Sequence, residues 1–300
     1  MRMDVAILCA ARHGRGWHVQ ALEHALADRG HRARVLPVDG LLASIGGAPR
    51  VRAGGQALDE ADAIVVRIIP RGSLEQIVFR MDALHRLAAL GMPVVNPAAA
   101  LERTVDKLYT SFLLEDAGLP TPRTIVAERE ADALAAFREL GDVVVKPLFG
   151  ANGRGMVRIT DEEIAFRVFR ALELERAVYY VQETVSHAGR DLRAFVVGDR
   201  VVAAAWRCAA RPDDWRTNIA RGARAVAAEL PPAWTELAVR ATRAVGADYA
   251  GVDLLPATDG RVLVLEVNGI PGWKGVQSAT GVDVPGALVA HLERRVGGSA

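Results

Sequence analysis

The sequence predicts an α/β chain assembled in sections, a parallel-sheet unit first and antiparallel units after it. Three observations carry this. Between residues 1 and 97, short apolar strands alternate with helical stretches, the pattern of a parallel sheet. Further on, apolar runs flank Gly198-Asp199 and Asp259-Gly260, pairs suited to hairpin turns. Around residues 142–159, two apolar runs bracket a glycine-rich loop instead of a helix.

The elements follow in order. Val5–Ala10 reads as a strand, Arg12–Gly16 as a turn, Val19–Arg29 as a helix stopped by Gly30, and Arg34–Val38 as a second strand. Ala63–Ile69 is a third strand, Leu74–Leu90 a helix, and Pro93–Val95 a short strand ended by Asn96-Pro97. Gly14-Arg15-Gly16 lacks the third glycine of a dinucleotide fingerprint. Arg12, His13, Arg15 and His18 still form a basic cluster at a strand's carboxyl end, where ligands of open α/β sheets bind. An anionic acceptor and a plain solvated loop fit that cluster equally.

Thr104–Ala117 is expected to be one helix with Thr104 as its N-cap. Lys107 then falls in the first turn, where the helix dipole disfavours a cation. A phosphate partner would explain it, as would simple solvation. Leu119–Pro122 is a rigid connector, and Ile125-Val126 opens the next unit. Asp142–Pro147 is a strand ending in Lys146, Gly150–Gly155 (GANGRG) a loop, and Met156–Ile159 the returning strand. Glycines let backbone N–H groups approach phosphate oxygens, but this loop alone does not separate that use from a surface hairpin. Ala177–Glu183 is a strand. Asp191–Val197 and Val201–Arg207 form a hairpin from which Arg193 and Arg207 project. Arg216-Thr217-Asn218 and Arg221-Gly222 follow in a polar loop suited to carboxylate or phosphoryl oxygens. Pro231–Val245 is a helix, and a closing helix opens at Asp283-Val284-Pro285.

The most informative stretch is the hairpin between these helices, Tyr249–Leu255 with Arg261–Asn268. Two turn residues, Asp259 and Gly260, set Thr258 against Arg261 and hence Asp253 against Glu266. Strict alternation puts Val262, Val264, Glu266 and Asn268 on one face. Opposed carboxylates repel, and a divalent cation between them is the simplest compensation. Asp253, Glu266 and Asn268, completed by phosphate oxygens and water, suit Mg²⁺.

Composition sets the outer limits. The chain has 300 residues, roughly two domains' worth, with 51% hydrophobic and 5% aromatic residues. Net charge is +1, which argues against a nucleic-acid surface. Cys9 and Cys208 cannot build a disulfide framework, so a reducing cytoplasm fits. No apolar run approaches the about 20 residues of a membrane span, and VAILCAA is read as a strand, not a signal peptide. The 297–300 tail is expected to fray. Of 37 basic residues only Lys107, Lys146 and Lys274 are lysines. Sites that keep lysine where arginine is the rule point to a need for a compact ammonium.

The ordered set of Lys107, Lys146 with its glycine loop, Gln182-Glu183, Asp191-Leu-Arg, Arg216-Thr-Asn, Asp253 and Glu266-Val-Asn resembles the ATP-grasp superfamily. Within it the chain is similar to the RimK-like amino-acid ligases from about Asn96 to Arg295. Arg71–Gln76, Phe79–His85 and Pro271–Gly275 look more like the branch that ligates glutamate to small cofactors, with tetrahydromethanopterin or tyramine, a methanofuran precursor, as acceptor. The resemblance implies an ATP-grasp fold: a pre-ATP-grasp domain over 1–97, a central lid subdomain over 98–182 and a C-terminal antiparallel subdomain over 183–296. It implies ATP with Mg²⁺ or Mn²⁺ as cofactors. Lys107 and Lys146 would meet ATP phosphates under a lid containing Gly150, Asn152, Gly153 and Gly155. Gln182, Glu183 and the backbone near Val185 would meet adenine, and Asp191 the ribose side. Arg216, Thr217 and Asn218 would line the phosphoryl site. Asp253, Glu266 and Asn268 would hold the metal. Arg207 and Arg221, with Arg216, are candidates for carboxylate or acyl-phosphate oxygens. The 183–191 segment is about one residue shorter than in such relatives, which bears on the adenine contacts.

The implied chemistry is an ADP-forming ligation through an acyl phosphate, with L-glutamate and a small amine or carboxylate acceptor as partners. A protein or peptide terminus, or a hydroxyl phosphorylated by a kinase, is the alternative acceptor. A homo-oligomer, dimer or tetramer, stays open.

Overall fold

The computed structural model describes residues 2–10, 16–150, 153–211, 217 and 222–298. The expectations for Arg12, His13, Arg15, Asn152, Arg216, Asn218, Arg221 and the last two residues lie outside the described residues.

The first section comprises β1 (Asp4–Cys9), α1 (Trp17–Asp28), β2 (Arg32–Pro37), β3 (Leu41–Ala43), β4 (Val51–Ala53), β5 (Gln56–Ala57), β6 (Ala63–Val66), α2 (Leu74–Ala89) and β7 (Val94–Val95). Strands β2-β1-β6-β7 form a parallel sheet. Both faces are covered, so β1 and β6 read as unbroken apolar runs. Ser73 and Gln76 close a capping box at the start of α2. The small antiparallel sheet β3-β4-β5 was not legible in the sequence, because its strands have three, three and two residues.

Two helices follow, α3 (Ala98–Val105) and α4 (Lys107–Asp116). The single helix expected from Thr104 is therefore broken at Asp106. Asp106, not Thr104, is the N-cap, its carboxylate accepting from the N–H groups of Leu108 and Tyr109. Thr104 lies inside α3 and donates back to the Ala100 carbonyl. Threonine and aspartate both cap well, and the two-residue spacing left the choice to tertiary context.

The middle section holds β8 (Thr124–Ala127), α5 (Glu130–Leu140), β9 (Val143–Lys146), β10 (Val157–Ile159), α6 (Glu162–Leu174) and β11 (Tyr179–Glu183). Its antiparallel sheet, β10-β9-β11-β8, packs on α5 and α6 around Phe137, Phe169 and Tyr179. The last section holds β12 (Arg190–Val197), β13 (Arg200–Cys208), β14 (Arg224–Ala227), α7 (Pro232–Ala244), β15 (Tyr249–Pro256), β16 (Val262–Asn268), α8 (Lys274–Thr280) and α9 (Val284–Gly297). Its sheet order is β14-β13-β12-β15-β16, antiparallel throughout. Helix α7 covers one face, while α9 and Trp273 join the other face to α1 and β1 in a shared core.

Asn96 fastens the first section to the last. It is fully buried. Its Nδ2 donates to the carbonyls of Tyr249 (2.7 Å) and Gly269 (2.6 Å), and its Oδ1 accepts from the N–H groups of Asp248 (2.7 Å) and Tyr249 (3.0 Å). All the amide's hydrogen-bonding capacity is spent on backbone at both ends of the β15–β16 hairpin, as burial of such a group requires.

Candidate active site

The β15–β16 hairpin places Asp253 directly opposite Glu266, as the sequence implied, but by a different route. The loop has three residues, Thr258 to Gly260, and Ala257 N–H bonds the Arg261 carbonyl. A bulge beside Asp253 and Leu254 then restores the register. The same bulge corrects the face assignment. Val262 and Val264 pack with α7, whereas Glu266 lines the cleft beside Leu265. An extra residue in one strand shifts the alternation by one, and period-2 counting cannot see it.

Across the sheet the cleft floor is a row of charges set by strand register. Arg207 on β13 pairs with Asp191 on β12, Arg193 on β12 with Asp253 on β15, and Asp253 with Glu266 on β16. Arg207 Nε lies 2.7 Å from Asp191 Oδ1, and its Nη2 lies 2.7 Å from Asp253 Oδ2. Arg193 grips both Asp253 oxygens, Nη2 at 2.9 Å from Oδ2 and Nε bonded to Oδ1. Thr217 Oγ1 donates to Asp191 Oδ2 at 2.6 Å. Burial alone would raise the Asp253 pKa; the guanidiniums of Arg193 and Arg207 outweigh it and hold the carboxyl below its ordinary value. Burial works against the charged form of Arg207 too, yet Asp253 and Asp191 raise its pKa.

This pairing changes the argument for a metal. Repulsion between Asp253 and Glu266 is already offset on the Asp253 side by two arginines. A carboxylate accepts about four hydrogen bonds, and three N–H donors already reach Asp253. It therefore keeps roughly one free site. Asn268 Oδ1 accepts from Ile270 N–H at 2.9 Å and helps turn the chain out of β16. The oxygen set still fits a magnesium ion, through Glu266 first and one Asp253 lone pair second. Such an ion takes most of its other ligands from phosphate and water.

The opposite wall comes from the middle sheet. Lys146 ends β9, and its Nζ bonds Gln182 Oε1 on the neighbouring strand. Gln182 is 3% exposed, and its Nε2 donates to Thr124 Oγ1 at 2.9 Å, which fixes the amide so that its oxygen meets the ammonium. Burial lowers the Lys146 pKa to about 8, Glu266 opposing and Lys107 adding to the fall. Lys107 starts α4, and its Nζ donates to the carbonyls of Leu148 (3.2 Å) and Gly150 (2.9 Å) at the root of the glycine loop. Its pKa is lowered as well, chiefly by burial.

Lys107, Lys146, Gly150, Gly153, Gln182, Glu183, Val185, Asp191, Arg207, Thr217, Asp253 and Glu266 all line one cleft of about 920 Å³, open to solvent. Gly155 and Asn268 stand outside its lining. Gln182 and Glu183 are committed by their side chains, Glu183 Oε1 accepting the Arg123 N–H at 3.0 Å. Sequence reasoning missed the apolar walls, Val144, Met156, Leu255 and Leu265. It also gave Arg193 no role. Its signal was the β12–β15 pairing, which joins segments separated by two strands and a helix. Among the described residues there is no cluster of three or more His, Cys, Asp or Glu side chains arranged for a metal, and no helix long and apolar enough to cross a membrane.

The comparisons give the chain its family. The RimK-like ATP-grasp domain profile matches residues 104–292, and the RimK PreATP-grasp domain profile matches residues 3–101. This chain belongs to the RimK-like ATP-grasp family. A tetrahydromethanopterin:alpha-L-glutamate ligase of Methanosarcina acetivorans is 32% identical over 309 aligned positions, covering 92% of this chain and 95% of the relative. A probable alpha-L-glutamate ligase of Xanthomonas oryzae pv. oryzae is 38% identical, covering 99% of this chain and all of the relative. Among solved structures, the ATP-grasp ligase PsnB with its minimal precursor, Mg and ADP superposes with a TM-score of 0.75 at 22% identity over 98% of both chains. At that identity the likeness speaks for the fold.

Proposed function

We propose that the protein is an ATP- and Mg²⁺-dependent carboxylate–amine ligase that adds L-glutamate to a small, cofactor-type acceptor and releases ADP and phosphate. The observation that carries this reading is the single cleft of a RimK-like ATP-grasp chain. There the two clustered lysines and the glycine loop face Glu266 and the arginine-held Asp253. Full-length relatives named as glutamate ligases, one for tetrahydromethanopterin, support the amino acid and the acceptor class.

In this reading a carboxylate oxygen of one substrate attacks the γ-phosphorus of ATP. The bond to the β-γ bridging oxygen breaks and ADP leaves. The amine nitrogen then attacks the acyl carbon of the resulting acyl phosphate, phosphate departs, and the amine proton passes to water. The chain itself neutralises and positions. Lys107 and Lys146 balance phosphate charge as compact cations. Gly150 and Gly153 let the loop backbone close over the phosphates and keep water from the acyl phosphate. The backbone of residues 183–185 meets the base, since the Gln182 and Glu183 side chains are committed elsewhere. Arg207 Nη1, which makes no hydrogen bond among the described residues, is left for a substrate oxygen, while its other nitrogens hold Asp191 and Asp253. Glu266 and Asp253 would hold Mg²⁺, which supplies charge stabilisation to the transferring phosphoryl group; Mn²⁺ suits the same oxygens. Residues 1–97, 98–182 and 183–296 serve as acceptor-side, lid and metal-side units.

The test is an ADP-release screen with Mg²⁺, ATP, L-glutamate and pterin, furan-amine or peptide acceptors. ADP and free phosphate should appear only when both the amino acid and an acceptor are present, and Glu266→Gln should cut turnover by at least about 10³-fold. Full turnover in that variant, or phosphate transferred to a hydroxyl without an amine, would refute the reading.

A further inference from the structure

The cleft accounts for two of the three lysines. The third, Lys274, opens α8 on the surface, its Nζ 5.8 Å from the ring centre of Trp17. Trp17 in turn opens α1, behind Gly16, which offers no side-chain cap. His18 stands edge-on to Trp17 and Trp273, with ring centres 5.1 and 4.8 Å away. Its Nε2 accepts the Trp273 backbone N–H at 3.1 Å. Arg67, just past β6, lies 4.4 Å over the Trp273 ring.

The chemistry of this junction is one-sided. Among the described residues the Arg67 guanidinium bonds to neutral partners, Tyr249 OH at 2.9 Å from Nη1 and the Pro271 carbonyl at 3.0 Å from Nη2. Neither Arg67 nor Lys274 forms an ion pair with a carboxylate among the described residues. Two further donors, Arg67 Nε–H and the indole N–H of fully buried Trp273, are shielded from solvent and have no hydrogen-bond partner among the described residues. His18 does not add a third charge, because burial, Arg67 and Lys274 push its pKa down to about 4. Cations gathered around one histidine and buried donors without an acceptor are both costly, and an anion offsets either cost.

The junction also adjoins the charge row. A Cβ on Gly251 would stand 2.8 Å from Arg193 Nη1 and 2.9 Å from Pro271 Cβ. Arg67, Pro271, Gly251, Arg193 and Asp253 are therefore packed in continuous succession. An anion at the junction would lie past Arg193, outside the cleft lined by Lys107 and Lys146.

We propose that Arg67, Lys274 and the Trp273 indole N–H form a subsite for a substrate carboxylate that the reaction leaves intact. The inference rests on the ligase reading for the identity of the substrate, and its own measurement does not. The spare carboxylate belongs either to the amino acid or to a carboxylate-bearing acceptor. Two probes separate the sources: L-glutamate, with an amine, and glutarate, without one.

Each probe is titrated calorimetrically into the full chain, wild type, Arg67→Met and Lys274→Met, with Mg²⁺ and ADP titrated separately. The subsite predicts an affinity loss of about tenfold or more in both variants. A loss confined to L-glutamate identifies the amino acid as the source, because the amine is then required; a loss for glutarate as well shows that the subsite takes a carboxylate without an amine beside it, as an acceptor offers one. Lys274 is exposed, so its variant keeps the test decisive if Arg67→Met fails to fold. Unchanged affinities in Lys274→Met, or no binding of either probe to the wild type, overturn the proposal. Failure of Mg²⁺ and ADP to bind would instead overturn the ligase reading, and the probe titrations would still decide the subsite.

Discussion

Lys146 titrates within the working range of the site, and its neighbours fix the direction in which it can be moved. Burial is the main cause of its fall from an ordinary 10.5 to about 8. At about 1.4 kcal/mol per pH unit, that fall corresponds to about 3 kcal/mol of disfavoured charge, a figure trimmed by solvent in the open cleft. The native state then binds fewer protons than the unfolded chain between about pH 8 and 10.5. Stability therefore gains from this group as pH rises through that window, and the cost of the buried charge is fully present below it. Because the chain has only three lysines, ¹³C-lysine labelling gives three ε-carbon signals, each assignable by one Lys→Arg variant. The Lys146 signal should titrate near 8. Glu266→Gln removes the favourable charge opposite it and should lower the midpoint further, while Lys107→Met removes a like charge and should raise it. A Lys146 midpoint near 10.5, or one indifferent to Glu266→Gln, would refute the view that these groups share one electrostatic site.

Two further outcomes follow from the packing. Asn96→Leu strands backbone groups of Asp248, Tyr249 and Gly269 that Asn96 now satisfies, so urea denaturation should show a loss of at least about 3 kcal/mol; a loss under 1 kcal/mol would contradict the role of Asn96 as the joint. Gly150→Ala would bring a Cβ to 2.8 Å from Pro147 Cγ and displace the loop root that Lys107 bonds. It should raise the KM for ATP several-fold with an unchanged Tm, and an unaltered KM would show that the loop does not close on the nucleotide.

The sequence carried more of the chemistry than of its arrangement. Alternating strands and helices gave the parallel sheet, and the apolar runs around Gly198-Asp199 and Asp259-Gly260 gave the two hairpins. The opposition of Asp253 and Glu266 was legible too, although two departures cancelled to produce it: a longer turn and a bulge. Turn length and bulges depend on backbone energies of a kcal/mol or so, which composition does not encode. The N-cap at Asp106 escaped for a similar reason, since Thr104 is nearly as good a cap.

What the chain alone determined was local: which segments bury a face, which glycines free the backbone, and where the scarce lysines stand. What only the tertiary structure decided was which charge meets which. β12 pairs with β15 across two intervening strands and a helix, and this sets Arg193 against Asp253. The pairing of Arg207 with Asp191 and Asp253, the gathering of lysine and carboxylate walls from separate sheets, and the placing of Arg67 over Trp273 are likewise contacts between distant segments. Charges of opposite sign attract whatever their place in the sequence, so their partners are chosen by the register of packed strands, and that register exists only once the core has formed.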